Sequence, residues 1–298
     1  MEFDRSEVSF GNGNPWMPHR VRDYYASGMA YMSLQNKVAI VTGGGGGIGK
    51  ATAERLALEG VAVIVADILD EPAKATAATI AAQGGTAAPV HVDISSEEQV
   101  EAMVARAIEL FGGLHILHNN AARLSGVGSG DKDVTRMEAS TWDSFMAVNL
   151  RGPMFCCKHA IPRMLESGGG SIINMSSTAA LAAQPTRLAY SVSKRGVNAL
   201  TQHVATAYGK DGIRANAICP GPVLTEGFTA HVSRESSSIL RDNVLTPDVG
   251  EPADIAALVA FLASSESKYI NGQIISADGG MLIHYPTMAQ LRAAGIED

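Results

Sequence analysis

Tyr190 and Lys194 lie four residues apart in the segment Tyr190-Ser-Val-Ser-Lys194. On a helix that spacing places both side chains on one face, about a turn apart. An ammonium beside a phenol favours the phenolate, so a group that ordinarily ionises near pH ~10 can serve as an acid/base. Bringing it to about 7 requires roughly 4 kcal/mol of differential stabilisation, at ~1.36 kcal/mol per unit. The pair by itself equally fits an exposed helix face. Two companions raise its meaning: Ser177, 13 residues earlier, and a glycine-rich turn far upstream.

The turn follows Lys37-Val-Ala-Ile-Val-Thr42, an apolar, β-branched run that reads as a buried strand. Gly43 through Gly47, Ile48 and Gly49 come next, and residues 50–58 then show helical periodicity. Glycine lets the backbone approach a pyrophosphate, and a helix N-terminus offers free N–H groups and a favourable dipole. Anchored at its ends, the run fits Thr-Gly-x-x-x-Gly-x-Gly through Thr42, Gly43, Gly47 and Gly49. A second apolar run, 61–66, ends in Asp67, 18 residues beyond Gly49. An acid at that distance accepts hydrogen bonds from the adenosine ribose hydroxyls and repels a 2′-phosphate. No Arg or Lys occurs among residues 43–49, so Asp67 argues for NAD over NADP; an ordinary turn aspartate is the competing reading.

With these residues assembled, the chain resembles the short-chain dehydrogenase/reductase family. Gly43, Gly47, Ile48 and Gly49 are similar to its cofactor turn, and Asp93-Ile94 to its adenine contact. Asn119-Asn120-Ala121-Ala122 resembles its Asn-Asn-Ala-Gly segment, with Ala122 in place of the usual glycine. Pro220-Gly221-Pro222-Val223 and Asp278-Gly279-Gly280 match two later segments. The likeness spans residues 36 to about 283, with every motif in order. It implies a catalytic tetrad of Asn149, Ser177, Tyr190 and Lys194. In that scheme Tyr190 is the acid/base and Ser177 orients the substrate oxygen. Lys194 holds the phenolate and the nicotinamide ribose, and Asn149 holds a water that links Lys194 to solvent. Asn120, Pro220, Gly221, Val223 and Thr225 join the glycine turn, Asp67, Tyr190 and Lys194 in binding NAD.

Each assignment has a plainer competitor. Ser176 stands beside Ser177 on the opposite face of a strand, and the family spacing to Tyr190 selects Ser177. Asn149 can cap or kink its helix, because Asn is a poor helix-interior residue. Arg187 and Arg195 read as surface or interface charges, and His115 and His118 as structural histidines.

The elements that must position these groups alternate along the chain. Strands are predicted at 37–42, 61–66, 87–92, 114–118, 171–176, 213–219 and 272–276. Helices are predicted at 48–59, 70–83, 96–111, 140–166, 188–210 and 252–264. This alternation implies an α/β fold, a doubly wound parallel sheet with helices on both faces. The resemblance supplies the Rossmann-type order 3-2-1-4-5-6-7. Ligands in such sheets sit outside the carboxyl ends of the strands. One catalytic domain is expected over 36–283, with a substrate lid at about 222–248. Residues 1–35 form an N-terminal extension, either disordered or an oligomer arm, with Met32 a plausible natural start; 284–298 form a C-terminal tail.

Composition narrows the partners. The 298 residues carry a formal net charge of −7, which offers nothing to nucleic acid or an anionic membrane. No run reaches 18 apolar residues, so no membrane span is expected. Three cysteines, Cys156, Cys157 and Cys219, fit neither a disulfide framework nor a zinc site. A reducing cytoplasm and no metal are the expectation, and the family suggests a homotetramer. The expected reaction is NAD-dependent interconversion of a secondary alcohol and a ketone. Alternatives are a cis-diol or dihydrodiol dehydrogenase of the same family and a catalytically silent NAD-binding regulatory protein. Arg123, Gln184 and Phe228 are expected to contact substrate beside Ser177 and Tyr190. The lid's aliphatic residues suggest a hydrophobic or alicyclic alcohol rather than a sugar or an anionic metabolite, though they equally suit packing of the lid's own short helices.

Overall fold

The computed structural model describes residues 31–125 and 128–296. Most of the proposed N-terminal extension, residues 1–30, lies outside the described residues. Its last five residues, 31–35, pack onto the body: Leu34 is buried in the core, and the Tyr31 amide donates to Glu59 Oε2 at 2.9 Å.

Seven parallel strands form one sheet in the order β3-β2-β1-β4-β5-β6-β7. They are β1 (Val38–Thr42), β2 (Ala62–Asp67), β3 (Ala87–His91), β4 (Ile116–Asn119), β5 (Gly170–Met175), β6 (Ile213–Pro220) and β7 (Ile274–Ala277). Side-chain alternation divides β1 between two cores. Ala39 and Val41 join Val63, Val65 and Ile116 on one face, whereas Val38 and Ile40 join Ile64, Ala66 and Leu117 on the other. A strand covered on both faces needs an unbroken apolar run, which is why Val-Ala-Ile-Val-Thr is legible as β1.

Helices α1 (Gly47–Leu58), α2 (Asp70–Ala82) and α3 (Glu97–Phe111) follow the first three strands. The predicted helix 140–166 is broken. It consists of α4 (Ala139–Met146), one π-helical turn (Ala147–Arg151) and α5 (Gly152–Glu166). The wide turn is centred on Asn149, the residue whose type disfavours a helix interior. Helix α6 (Leu188–Tyr208) carries Tyr190 and Lys194. The segment expected as a lid, about 222–248, contains two short helices, α7 (Glu226–His231) and α8 (Arg234–Asp242), and α9 (Pro252–Ala263) packs on α1. The lid closes on itself at its base: Leu224 N donates to Gly250 O at 2.8 Å and Gly250 N to Pro222 O at 3.0 Å. A last helix, α10 (Met288–Ala293), lies in the C-terminal tail.

Strands β1 and β4 are neighbours, and the chain order reverses between them. That reversal opens a crevice above the carboxyl ends of the strands, where the turn after β1 and the segments after β4, β5 and β6 meet.

Candidate active site

The glycine turn is folded tightly on itself. Gly43 and Gly47 adopt φ of +64° and +51°, conformations that favour glycine. A Cβ on Gly49 would lie 2.0 Å from Gly43 O, so no other residue fits there. Neighbouring strands hold the turn. Asn120 Nδ2 donates to Thr42 O and Gly43 O at 3.0 and 3.1 Å, and Asn120 N and Ala121 N both donate to Thr42 Oγ1. Asp67 braces it from β2, accepting from Gly45 N at 2.9 Å through Oδ2 while Oδ1 accepts from Leu69 N.

Beside this turn runs a cleft of about 420 Å³ that Gly43, Gly47, Asp67, Asp93 and Ile94 help to line. Asp93 is held by Ser95, whose amide and hydroxyl both donate to Oδ1. The cleft shares Ile48, Asn120, Ala122, Leu124, Thr225 and Gly227 with a second cavity of about 260 Å³, so the two are continuous. Ser177, Tyr190, Lys194, Pro220, Gly221 and Val223 line the second cavity, together with Gln184 and Phe228. Thr225 caps α7, its Oγ1 accepting from Phe228 N at 3.0 Å.

Lys194 is buried and its Nζ donates to Met175 O at 2.7 Å. Ser176 Oγ donates back to Lys194 O at 3.2 Å, which shows the other face of the Ser176/Ser177 step at work. Burial pulls the Lys194 pKa down to about 8. The Tyr190 phenol, also buried, is pushed up by burial; Arg187 charge and a side-chain hydrogen bond with Ser177 oppose that rise. The expected tuning by Lys194 therefore needs correction. Its ammonium is 5.8 Å from the ring centre and points to a backbone carbonyl, and the cation that lowers the phenol is Arg187, at 4.9 Å.

Asn149 is fully buried, but its amide group braces the chain. Nδ2 donates to Arg123 O at 3.0 Å and to Ser193 Oγ at 3.3 Å, and Oδ1 accepts from Arg123 N at 2.7 Å. With both amide hydrogens engaged, this side chain ties the segment after β4 to α6. Arg123, expected at the substrate mouth, turns away from it. Its guanidinium donates to Ser144 Oγ and Ser129 O and stacks on Phe145, leaving Leu124 and Ser125 to line the cavity. Arg195 is exposed, as expected of a surface charge, and its Nε donates to Ala180 O at 2.8 Å.

Three contributors carried no usable signal in the sequence. Met281, beyond the last strand, lines the cavity. Arg187 enters it from a left-handed backbone with φ +69°. Asp131, buried in the loop after β4, accepts from Ala189 N at 2.8 Å and Tyr190 N at 3.1 Å, capping α6 from 58 residues away. Among the described residues no cluster of His, Cys, Asp and Glu could hold a metal ion, and the three cysteines are buried thiols.

A parallel sheet whose switch point brings a buried Tyr and Lys beside a glycine-turn cleft defines a nucleotide-binding oxidoreductase of the α/β class. A family model described as enoyl-(acyl carrier protein) reductase matches residues 43–282. A probable short-chain type dehydrogenase/reductase of Bradyrhizobium diazoefficiens is 44% identical over 86% of this chain and 91% of its own. The 7alpha-hydroxysteroid dehydrogenase of Bacteroides fragilis is 35% identical over 86% of this chain and 98% of its own. Among solved structures, a 7alpha-hydroxysteroid dehydrogenase complexed with NADH and 7-oxo glycochenodeoxycholic acid superimposes with a TM-score of 0.79. It is 31% identical over 84% of this chain and 96% of that one. The chain belongs to the short-chain dehydrogenase/reductase family and is an oxidoreductase.

Two outcomes follow from the geometry. Asp131→Ala removes the tertiary cap of α6 and costs about 1–2 kcal/mol of stability by urea denaturation, whereas Asp131→Asn, which keeps one acceptor oxygen, costs less. The ordinary pKa of Lys194 is 10.5 and its folded value about 8, so between pH about 8 and 10 the unfolded chain binds more protons. That contribution makes the protein more stable as pH rises through this window. Lys194→Met should lose it, seen as a flatter plot of unfolding free energy against pH than wild type.

Proposed function

We propose that this protein is an NAD-dependent oxidoreductase that interconverts a secondary alcohol and a ketone, with Tyr190 as acid/base. The observation that carries this reading is the meeting of Tyr190, Ser177 and Lys194 in a cavity continuous with the Asp67-lined cleft. The names of the relatives support it, since several are hydroxysteroid dehydrogenases and one was solved with NADH.

The cleft fits a dinucleotide on its own evidence. Its turn has glycine where any Cβ would collide, and an acid at the end of β2 bars a 2′-phosphate. Gly43, Gly47, Ile48 and Gly49 would take the pyrophosphate, Asp67 the adenosine ribose, and Asp93 and Ile94 the adenine. Asn120, Pro220, Gly221, Val223 and Thr225 would border the nicotinamide half. When bound, the dinucleotide supplies the hydride donor or acceptor and, oxidised, a positive ring charge beside the phenol.

The chain's own residues manage the proton. In alcohol oxidation the Tyr190 phenolate takes the hydroxyl proton as the C–H bond gives up its hydride, and in ketone reduction the phenol returns that proton. Ser177 hydrogen-bonds the same oxygen and fixes its distance to Tyr190. Lys194, anchored on Met175 O, would hold the nicotinamide ribose. The buried site excludes water, so burial alone would hold Tyr190 protonated; Arg187 and Ser177 act against that cost.

Among the described residues no helix is long and apolar enough to cross a membrane. A cytoplasmic location suits three unpaired, buried cysteines. Ile283 and Tyr285 in the tail are both 80% exposed, which suits burial against a further copy in a homotetramer.

Tyr190→Phe should cut kcat by roughly 10²–10⁴-fold while the NADH dissociation constant changes little; turnover at the wild-type rate would remove Tyr190 from the acid/base role. Asp67→Ser should raise kcat/KM for NADP relative to NAD by about tenfold or more. An unchanged ratio would show that Asp67 serves only to brace the turn.

A further inference from the structure

The substrate cavity has an unbalanced charge. Its lining includes two cations, Lys194 and Arg187, and no Asp or Glu. Lys194 is committed to Met175 O. Arg187 has no carboxylate partner among the described residues. Its guanidinium carbon stands 4.9 Å from the Tyr190 ring centre, and its Nε is buried with no hydrogen-bond partner. Asp131, whose backbone carbonyl accepts from Arg187 N, spends both carboxylate oxygens on Ala189 N and Tyr190 N. A protein with a net charge of −7 therefore presents a bare guanidinium beside its acid/base. Holding it there also requires a non-glycine residue at φ +69°, a conformation that costs free energy.

A partly buried guanidinium with an unsatisfied donor is costly unless something accepts from it, and a carboxylate matches its forked geometry best. We propose that Arg187 binds an anionic group, most simply a carboxylate, carried by the substrate close to its reacting carbonyl carbon. The substrate class is then a hydroxy acid and the corresponding oxo acid, with an aliphatic remainder packed under Phe228, Val232, Leu240 and Met281. This deepens the oxidoreductase reading and rests on it for where the substrate lies. The aliphatic lid alone pointed to a neutral alcohol; the cavity's charge inventory points the other way.

Levulinate and methyl levulinate are ketones that differ in the charge of one end, so they isolate this contact. Wild type, Arg187→Gln and Arg187→Lys are titrated calorimetrically with each probe, with and without NADH, and NADH oxidation is followed in parallel. In wild type, levulinate should bind at least ~10-fold more tightly than its ester, with the preference falling as salt is added. Arg187→Gln should bring the ratio to about 1, and Arg187→Lys should keep part of it, which guards against a folding defect in the neutral variant. Equal binding of the two probes in wild type, no binding of levulinate, or a preference that survives in Arg187→Gln overturns the proposal. Reduction of the ester without any acid preference retires the Arg187 site and leaves the oxidoreductase reading standing. Arg187-dependent binding of levulinate with no NADH oxidation for any ketone supports the site and counts against that reading.

Discussion

The register of helix α6 against strand β5 is the constraint on which the site depends. Lys194 Nζ donates to Met175 O, the last carbonyl of β5, and Ser176 Oγ donates back to Lys194 O. These two bonds form a short reciprocal clasp, buried where neither partner has water as an alternative. Ser177 follows immediately on the strand side, and Tyr190 lies one turn before Lys194 on the helix side. Slippage of the helix by a residue would break both bonds and carry the phenol away from the serine. A polar ladder deeper in the molecule reinforces the clasp. Asn119 Nδ2 donates to Asn174 Oδ1, Asn174 Nδ2 to Thr201 Oγ1, and Thr201 Oγ1 to Val197 O, joining β4 and β5 to the same helix.

Much of this was legible in the sequence because the signals are local. Val-Ala-Ile-Val-Thr and Ala-Val-Ile-Val-Ala-Asp state their burial in their composition, and the glycine turn is defined by residues that no side chain can replace. The strand order came from family resemblance, and the sheet has that order. The sequence predicts one helix over 140–166; the π turn at its middle falls on Asn149, a poor helix-interior residue whose side chain is bonded across to Arg123.

What escaped the sequence was set by tertiary packing. Asp131 is one acid in a glycine-rich loop, and nothing near it signals that it caps a helix 58 residues on. Arg123 and Arg187 are both arginines near the site. The first is drawn aside by Ser144, Ser129 and Phe145, and the second is admitted to the cavity by a left-handed residue before α6. The Tyr-x-x-x-Lys spacing implies one cation tuning one phenol. It contains no information on burial, which raises the phenol, or on the carbonyl that holds Lys194 at a distance.

The neck of the lid has a consequence for how this scaffold can change. Backbone hydrogen bonds stitch Pro222 and Leu224 to Gly250, and a further one from Leu245 N to Gly279 O ties the far limb of the excursion to the segment after β7. Backbone stitching is indifferent to side-chain identity. Residues 226–242, between these ties, can therefore change in sequence and length without disturbing any rung of the sheet, which leaves one wall of the cavity exchangeable above an unaltered floor.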